Sequence, residues 1–181
     1  RFFKCNSLSN LVEGALLNDS DVVYGSALYS YPDGLVLRKP QAINIMVSEL
    51  PFCHQAVMVK TELAKKAPFN TKLRFIADYE MFYKFWKSGK SFQEVHSIIS
   101  IYDASGVSSH KSNRREMYLE KCMVRDIKPS KIAYSYIVAK AVAKDILRFI
   151  IPIRLRDVLK KREVGILDKH PLEYYEKRFA Q

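Results

Sequence analysis

Phe75-Ile76-Ala77-Asp78-Tyr79-Glu80 is the stretch around which the chain can be organised. An apolar approach from Lys72 to Ala77 delivers two carboxylates, Asp78 and Glu80, to the start of a strongly periodic segment. Tyr79, Phe82, Tyr83 and Trp86 recur at three- and four-residue spacing, with Met81 and Phe85 beside them, which predicts an amphipathic helix. Asp78 stands where an N-cap residue belongs. Its carboxylate can cap free backbone N–H groups there, or it can face a cleft.

Upstream, Pro51-Phe52-Cys53-His54-Gln55-Ala56-Val57-Met58-Val59-Lys60 reads as a strand, and Thr61 to Lys66 as a short helix stopped by Pro68. Phe69-Asn70 and then Ala77-Asp78-Tyr79-Glu80 follow. Downstream come Gly89, a long or bent strand from Ser91 to Tyr102, and the polar loop Asp103 to Lys111, which contains Gly106-Val107-Ser108-Ser109. Ahead of all these, residues 7–17 read as a helix with Ser7 as cap and Leu8, Leu11, Val12, Ala15 and Leu16 on one face. Val22 to Tyr29 is a strand that turns at Pro32-Asp33-Gly34 and returns through Leu35-Val36-Leu37.

This order of elements, over roughly residues 1–110, resembles the acceptor-side, C-terminal half of family 2 glycosyltransferases of the GT-A fold. There an "HQ" strand precedes an "F(N/D)…(A/E)D-Y/W-E" helix start and a strand that ends in a Gly-Ser loop. The resemblance implies an α/β fold: a partial GT-A-like mixed sheet flanked by helices (1–111), with a basic, amphipathic helical appendage (112–181). The implied activity is inverting transfer of a sugar from a nucleotide-diphosphate donor to a glycan or lipid-linked acceptor in surface polysaccharide synthesis. Asp78 would be the base that takes a proton from the acceptor hydroxyl. His54, Gln55, Tyr79, Glu80, Gly106 and Ser108 would contact acceptor or substrate. Glu80 also has Lys84 four residues on as an ion-pair partner.

The family also implies a divalent cation, Mg or Mn, on the donor diphosphate. His110 is a candidate ligand, and the D-x-D pair would fall before Arg1. Asp19-Ser20-Asp21 has that spacing, but it follows a helix and opens a strand, where a solvated turn is expected. The resemblance therefore implies that the nucleotide-binding half precedes this chain, which alone would expose a sheet edge and be inactive. The absence of Met at position 1 agrees with a portion of a longer protein.

The bounds are compatible. At 181 residues, 48% hydrophobic and 12% aromatic, the chain can bury a core and is not composed like a disordered one. Cys5, Cys53 and Cys122 lack metal-ligand pairing and are expected as reduced thiols in a cytoplasmic setting. No apolar run of spanning length appears, so any membrane association would be peripheral, on the inner face. Most of the net +11 lies in 128–162: Lys128, Lys131, Lys140, Lys144, Arg148, Arg154, Arg156, Lys160, Lys161 and Arg162 face only Asp145 and Asp157.

Helices are expected over 113–126, with Met117, Cys122 and Met123 on the apolar side, and over about 130–151. The second carries Ile132, Tyr136, Ala139, Ala143, Ile146 and Ile150 as a stripe. Pro152 ends it, and Ile153, Leu155, Val158 and Leu159 then interleave with Arg154, Arg156, Lys160, Lys161 and Arg162; through 130–162 the tail can pack on the domain, on a second copy in a homodimer, or on an anionic membrane leaflet. A second function class stays open: a non-catalytic basic module contacting membrane or nucleic acid. Nucleic acid is not the expected partner, because few aromatics stand beside the charges.

Overall fold

The computed structural model describes residues 1–31, 34–103, 113–150 and 170–179. The fold is α/β, built on a four-stranded mixed sheet with flanking helices. Its central strand, β1 (Val22–Tyr31), is buried from Val22 to Leu28. Strand β4 (Phe92–Asp103) runs parallel along one edge of it. The other edge is shared by β3 (Val57–Val59), antiparallel to Val22–Tyr24, and β2 (Gly34–Arg38), antiparallel to Ala27–Tyr31. The β1–β2 hairpin stands as expected, with Tyr31 opposite Gly34; Pro32 and Asp33 of its turn lie outside the described residues.

Alternation along β1 sends its side chains to two cores. Val23 and Ala27 pack with Leu11 of α1 (Ser7–Asn18), Cys53, Ala56 and Ile99. Leu28 packs with Ile98 and with Tyr175 of the C-terminal helix. One glycine lets α1 lie close on the sheet, and another lets β4 lie close against β1. A Cβ on Gly14 would sit 2.4 Å from a Val95 methyl, and one on Gly25 would sit 2.7 Å from Ile99 and 2.8 Å from the Ser97 carbonyl. β4 is bulged relative to β1 over this same stretch, so the bulge and the missing side chains fit one another. Ser7 is the first helical residue and not the expected cap. It is buried, and its hydroxyl donates to the Ile98 carbonyl at 3.2 Å.

The expected strand 51–60 is mostly something else. Only Val57–Val59 pairs, and His54–Ala56 form a 3-10 turn ahead of it. Helix α2 (Thr61–Lys66) follows, and then α3 (Ala77–Lys87). α3 buries Tyr79, Phe82 and Phe85 and leaves Tyr83 and Trp86 half-buried, as the periodicity predicts. Phe82 meets Phe52 edge-on at 5.1 Å, and Phe52 stacks on Tyr24 of β1 at 4.4 Å. An aromatic chain therefore fixes α3 to the sheet.

Contacts divide the chain into two units, residues 1–106 with 169–181, and residues 107–168. The expected tail, 112–181, is thus not one piece. In the first unit, His170 exchanges two backbone hydrogen bonds with Leu35, both 3.1 Å. Helix α6 (Leu172–Arg178) buries Tyr175, whose hydroxyl donates to the Leu35 carbonyl. Three side chains, Leu172, Tyr174 and Tyr175, dock it, too few to show a period in sequence.

The second unit holds α4 (Arg114–Val124) and α5 (Lys131–Ile150). Asp126, at φ 52°, ends the first helix. The Tyr118 hydroxyl then staples the hairpin: it donates to the Ser130 carbonyl at 3.2 Å and accepts from the Ser130 amide at 3.0 Å. Cys122 is buried as expected, but Met123 is exposed. Among the described residues no helix is long and apolar enough to cross a membrane.

Candidate active site

Asp78 is the second residue of α3, two residues inside the N-cap position. Ile76 holds the N-cap position, and it offers no side-chain acceptor. The reason is local: the first helical bond runs from the Glu80 amide to the Ile76 carbonyl at 2.9 Å, so the helix begins before the carboxylate. Asp78 accepts the adjacent Tyr79 amide on Oδ1 at 2.8 Å. Its other oxygen, Oδ2, lies 3.2 Å from Nδ1 of His54, and the side chain keeps 31% exposure. The carboxylate is thus oriented by one oxygen and presented by the other. Its charge also suits the positive end of the helix.

His54 reaches Asp78 because the 3-10 turn lifts it out of the sheet. Its side chain is 42% exposed and meets the Tyr102 ring edge-on at 5.8 Å. His54 and Gln55 are both exposed, so neither costs desolvation, and Gln55 stands beside the dyad without a described contact to it.

Tyr79 and Glu80 turn away from Asp78. Tyr79 is 3% exposed, and its hydroxyl donates to the Met46 carbonyl at 3.0 Å. This anchors α3 to the 3-10 turn Ile43–Val47, and a side chain so enclosed is not an acceptor contact. Glu80 is buried too. Its Oε1 accepts from Asn70 Nδ2 at 3.2 Å and pairs with Lys84 at 2.9 Å. The i,i+4 partner was legible in sequence; Asn70, which ties the loop before α3 to the helix, was not. Gly106, Ser108 and His110 lie outside the described residues.

Three neighbours were missed. Tyr29 and Tyr102 are register partners on β1 and β4, with ring centroids 4.8 Å apart, and Arg38 lies over Tyr29 at 4.8 Å. A wall of Arg38, Tyr29, Tyr102 and His54 therefore runs from the sheet to Asp78. Beneath it, burial pushes the Cys53 thiol up, opposed by the Gln55 amide, the Tyr29 hydroxyl and the Ala56 amide, with the Asp78 charge adding to the rise. Burial also pushes the Tyr29 hydroxyl well above the ordinary tyrosine range. Both are protonated packing groups at neutral pH. Strand alternation alone gave no reason to separate Tyr29 and Tyr102 from core aromatics.

No family model, curated protein or solved structure matches this chain.

Among the described residues no three His, Cys, Asp or Glu side chains converge on a point that could hold a metal. The D-x-D spacing of Asp19 and Asp21 is occupied otherwise. Lys60 Nζ lies 2.8 Å from Asp19 and 3.6 Å from Asp21, and Asp21 also accepts the Ser91 amide at 3.1 Å. The turn is a lysine-bridged corner between α1, β1 and β4. The described residues do not fit the implied Mg or Mn site.

Proposed function

We propose that this chain is the acceptor-side portion of an inverting, family 2-type glycosyltransferase, working at the cytoplasmic face of a cell membrane. It would move a sugar from a nucleotide-diphosphate donor to a glycan or lipid-linked acceptor in surface polysaccharide synthesis. One observation carries the reading: the Asp78 carboxylate is held by a backbone amide and by His54, yet remains partly open on the first turn of a rigid helix. That combination of fixed orientation and access is what a general base requires.

In this reading the acceptor hydroxyl gives its proton to Oδ2 of Asp78 as its oxygen bonds to the anomeric carbon. The bond from that carbon to the diphosphate oxygen breaks, and its electron pair leaves with the nucleotide. His54 is a positioning residue, keeping Oδ2 aimed outward. The edge of Tyr102 and the exposed Gln55 border the space an acceptor would enter. The order of elements that resembles the GT-A acceptor half supports the same reading.

The test is nucleotide release by the full-length protein over a panel of nucleotide-diphosphate sugars with lipid-linked acceptors. Asp78→Asn is expected to slow transfer about 10²- to 10⁴-fold while donor binding is unchanged. His54→Ala should give a smaller loss, carried by kcat with donor binding unchanged. Turnover retained in Asp78→Asn would remove Asp78 as the base.

A further inference from the structure

Helix α5 carries two apolar sides, and only one is used within its unit. Tyr134, Val138 and Ala141 are half-buried, and Tyr134 meets Tyr118 of α4 at 5.5 Å. At about 100° per residue, the opposite side presents Ile132, Tyr136, Ala139, Ala143 and Ile146. All five are exposed: Ile132 is 84%, Tyr136 67% and Ile146 52% accessible. An apolar stripe four turns long facing water is not a solvated helix face.

The charges around the stripe say what covers it. Lys131 and Lys140 are exposed and fall on its two flanks, and residues 127–144 contain Lys128 and Lys144 besides, with no Asp or Glu. A second copy laid face to face here would bring lysines against lysines. Nucleic acid would find one aromatic, Tyr136, on an otherwise aliphatic face. A bilayer surface satisfies both halves of the pattern. The stripe enters the acyl boundary, and the lysine stems run along it to place their ammonium groups among lipid phosphates.

We propose that α5 docks this face onto an anionic lipid surface and lies in the plane of the interface. The inference is independent of the catalytic reading, since it uses no residue of the Asp78 site. It fits that reading in one respect: an enzyme held flat on a leaflet meets a lipid-linked acceptor in two dimensions.

The experiment is co-sedimentation of the intact chain with vesicles of phosphatidylcholine, with or without phosphatidylglycerol. Binding is expected to the anionic vesicles and to fall steeply with salt. Lys131→Glu with Lys140→Glu should lower partitioning about 30-fold or more, and Ile132→Ser with Ile146→Ser about tenfold or more. These positions are exposed, so circular dichroism of both variants should match the parent. Equal partition onto neutral vesicles would overturn the proposal, as would no binding by folded protein. Sedimentation velocity without lipid should show a monomer. A dimer that Ile132→Ser with Ile146→Ser dissociates would give the stripe to a second copy and overturn it as well.

Discussion

Helices α3 and α5 carry the same sequence signal and use it oppositely. Each has an apolar stripe at three- and four-residue steps. α3 buries Tyr79, Phe82 and Phe85 against aromatics of its own sheet unit, whereas α5 leaves Ile132, Tyr136 and Ile146 in water. The difference lies in the quality of the stripe and in what borders it. α3 offers large rings with partners at Phe52 and Tyr24, and its acids cluster at the first turn, where the helix dipole favours them. α5 offers Ile132, Tyr136, Ala139, Ala143 and Ile146, with one ring among them, and is bordered by lysine alone up to Lys144. Periodicity reveals that a face is apolar; the composition at its margins indicates which solvent it meets.

Four changes would break or sharpen this contrast. Phe82→Ala removes the ring between Phe52 and Phe85 and is expected to cost about 3–5 kcal/mol, measured as a lowered urea midpoint. A loss under about 1 kcal/mol would mean that α3 is not held by its aromatic chain. Gly14→Ala forces a methyl into Val95 and should cost about 1–3 kcal/mol, read the same way. An unchanged midpoint would show that α1 can lift from the sheet freely.

The third change concerns acid. The Ser91 amide above all holds the Asp21 carboxyl below its ordinary value of 3.8; burial opposes it, and the Ser91 hydroxyl, Lys60 and Lys90 add to the depression. A depressed folded value contributes stability that is present above the unfolded value and is lost as pH falls through the folded one. Amide exchange in β1 should therefore speed up as pH drops below about 4, beyond the intrinsic change. Asp21→Asn should remove that dependence, while exchange in α5 should not respond to the substitution. Ile132→Ser is the smallest effect: stability should change by no more than about 0.5 kcal/mol, by the same urea titration. A larger loss would show that the stripe is packed in solution.

Much of this was legible in sequence because period and turn chemistry are local. The β1–β2 hairpin, the bent β4, the helices α1, α3, α4 and α5, and the Glu80–Lys84 pair follow from spacing alone. What was not legible depended on contacts far along the chain. Ser7 looks like a cap until the Ile98 carbonyl arrives to take its hydroxyl. The run 51–60 looks like one strand because β propensity does not reveal that β1 offers only Val22–Tyr24 to it. At the site, Asp78 was singled out by its place at a helix start. Its alignment with His54 required a 3-10 turn that no periodicity signals, and Tyr102 entered through strand register.

One row of the sheet has a consequence for how this chain can be cut and joined. Asp103, Ser30, Leu35 and His170 are successive neighbours across β4, β1, β2 and the final bridge. Adjacent strands are about 4.8 Å apart, so the polypeptide departs at Asp103 and re-enters at His170 only about 14 Å away. Everything between is topologically an insertion. A linker of about six residues would span that gap, and shortening the excursion so far would favour folding by about 2 kcal/mol in loop closure. A spliced protein joining 103 to 170 should therefore melt no lower than the parent and retain the Asp78 site, yet lose whatever α5 contributes.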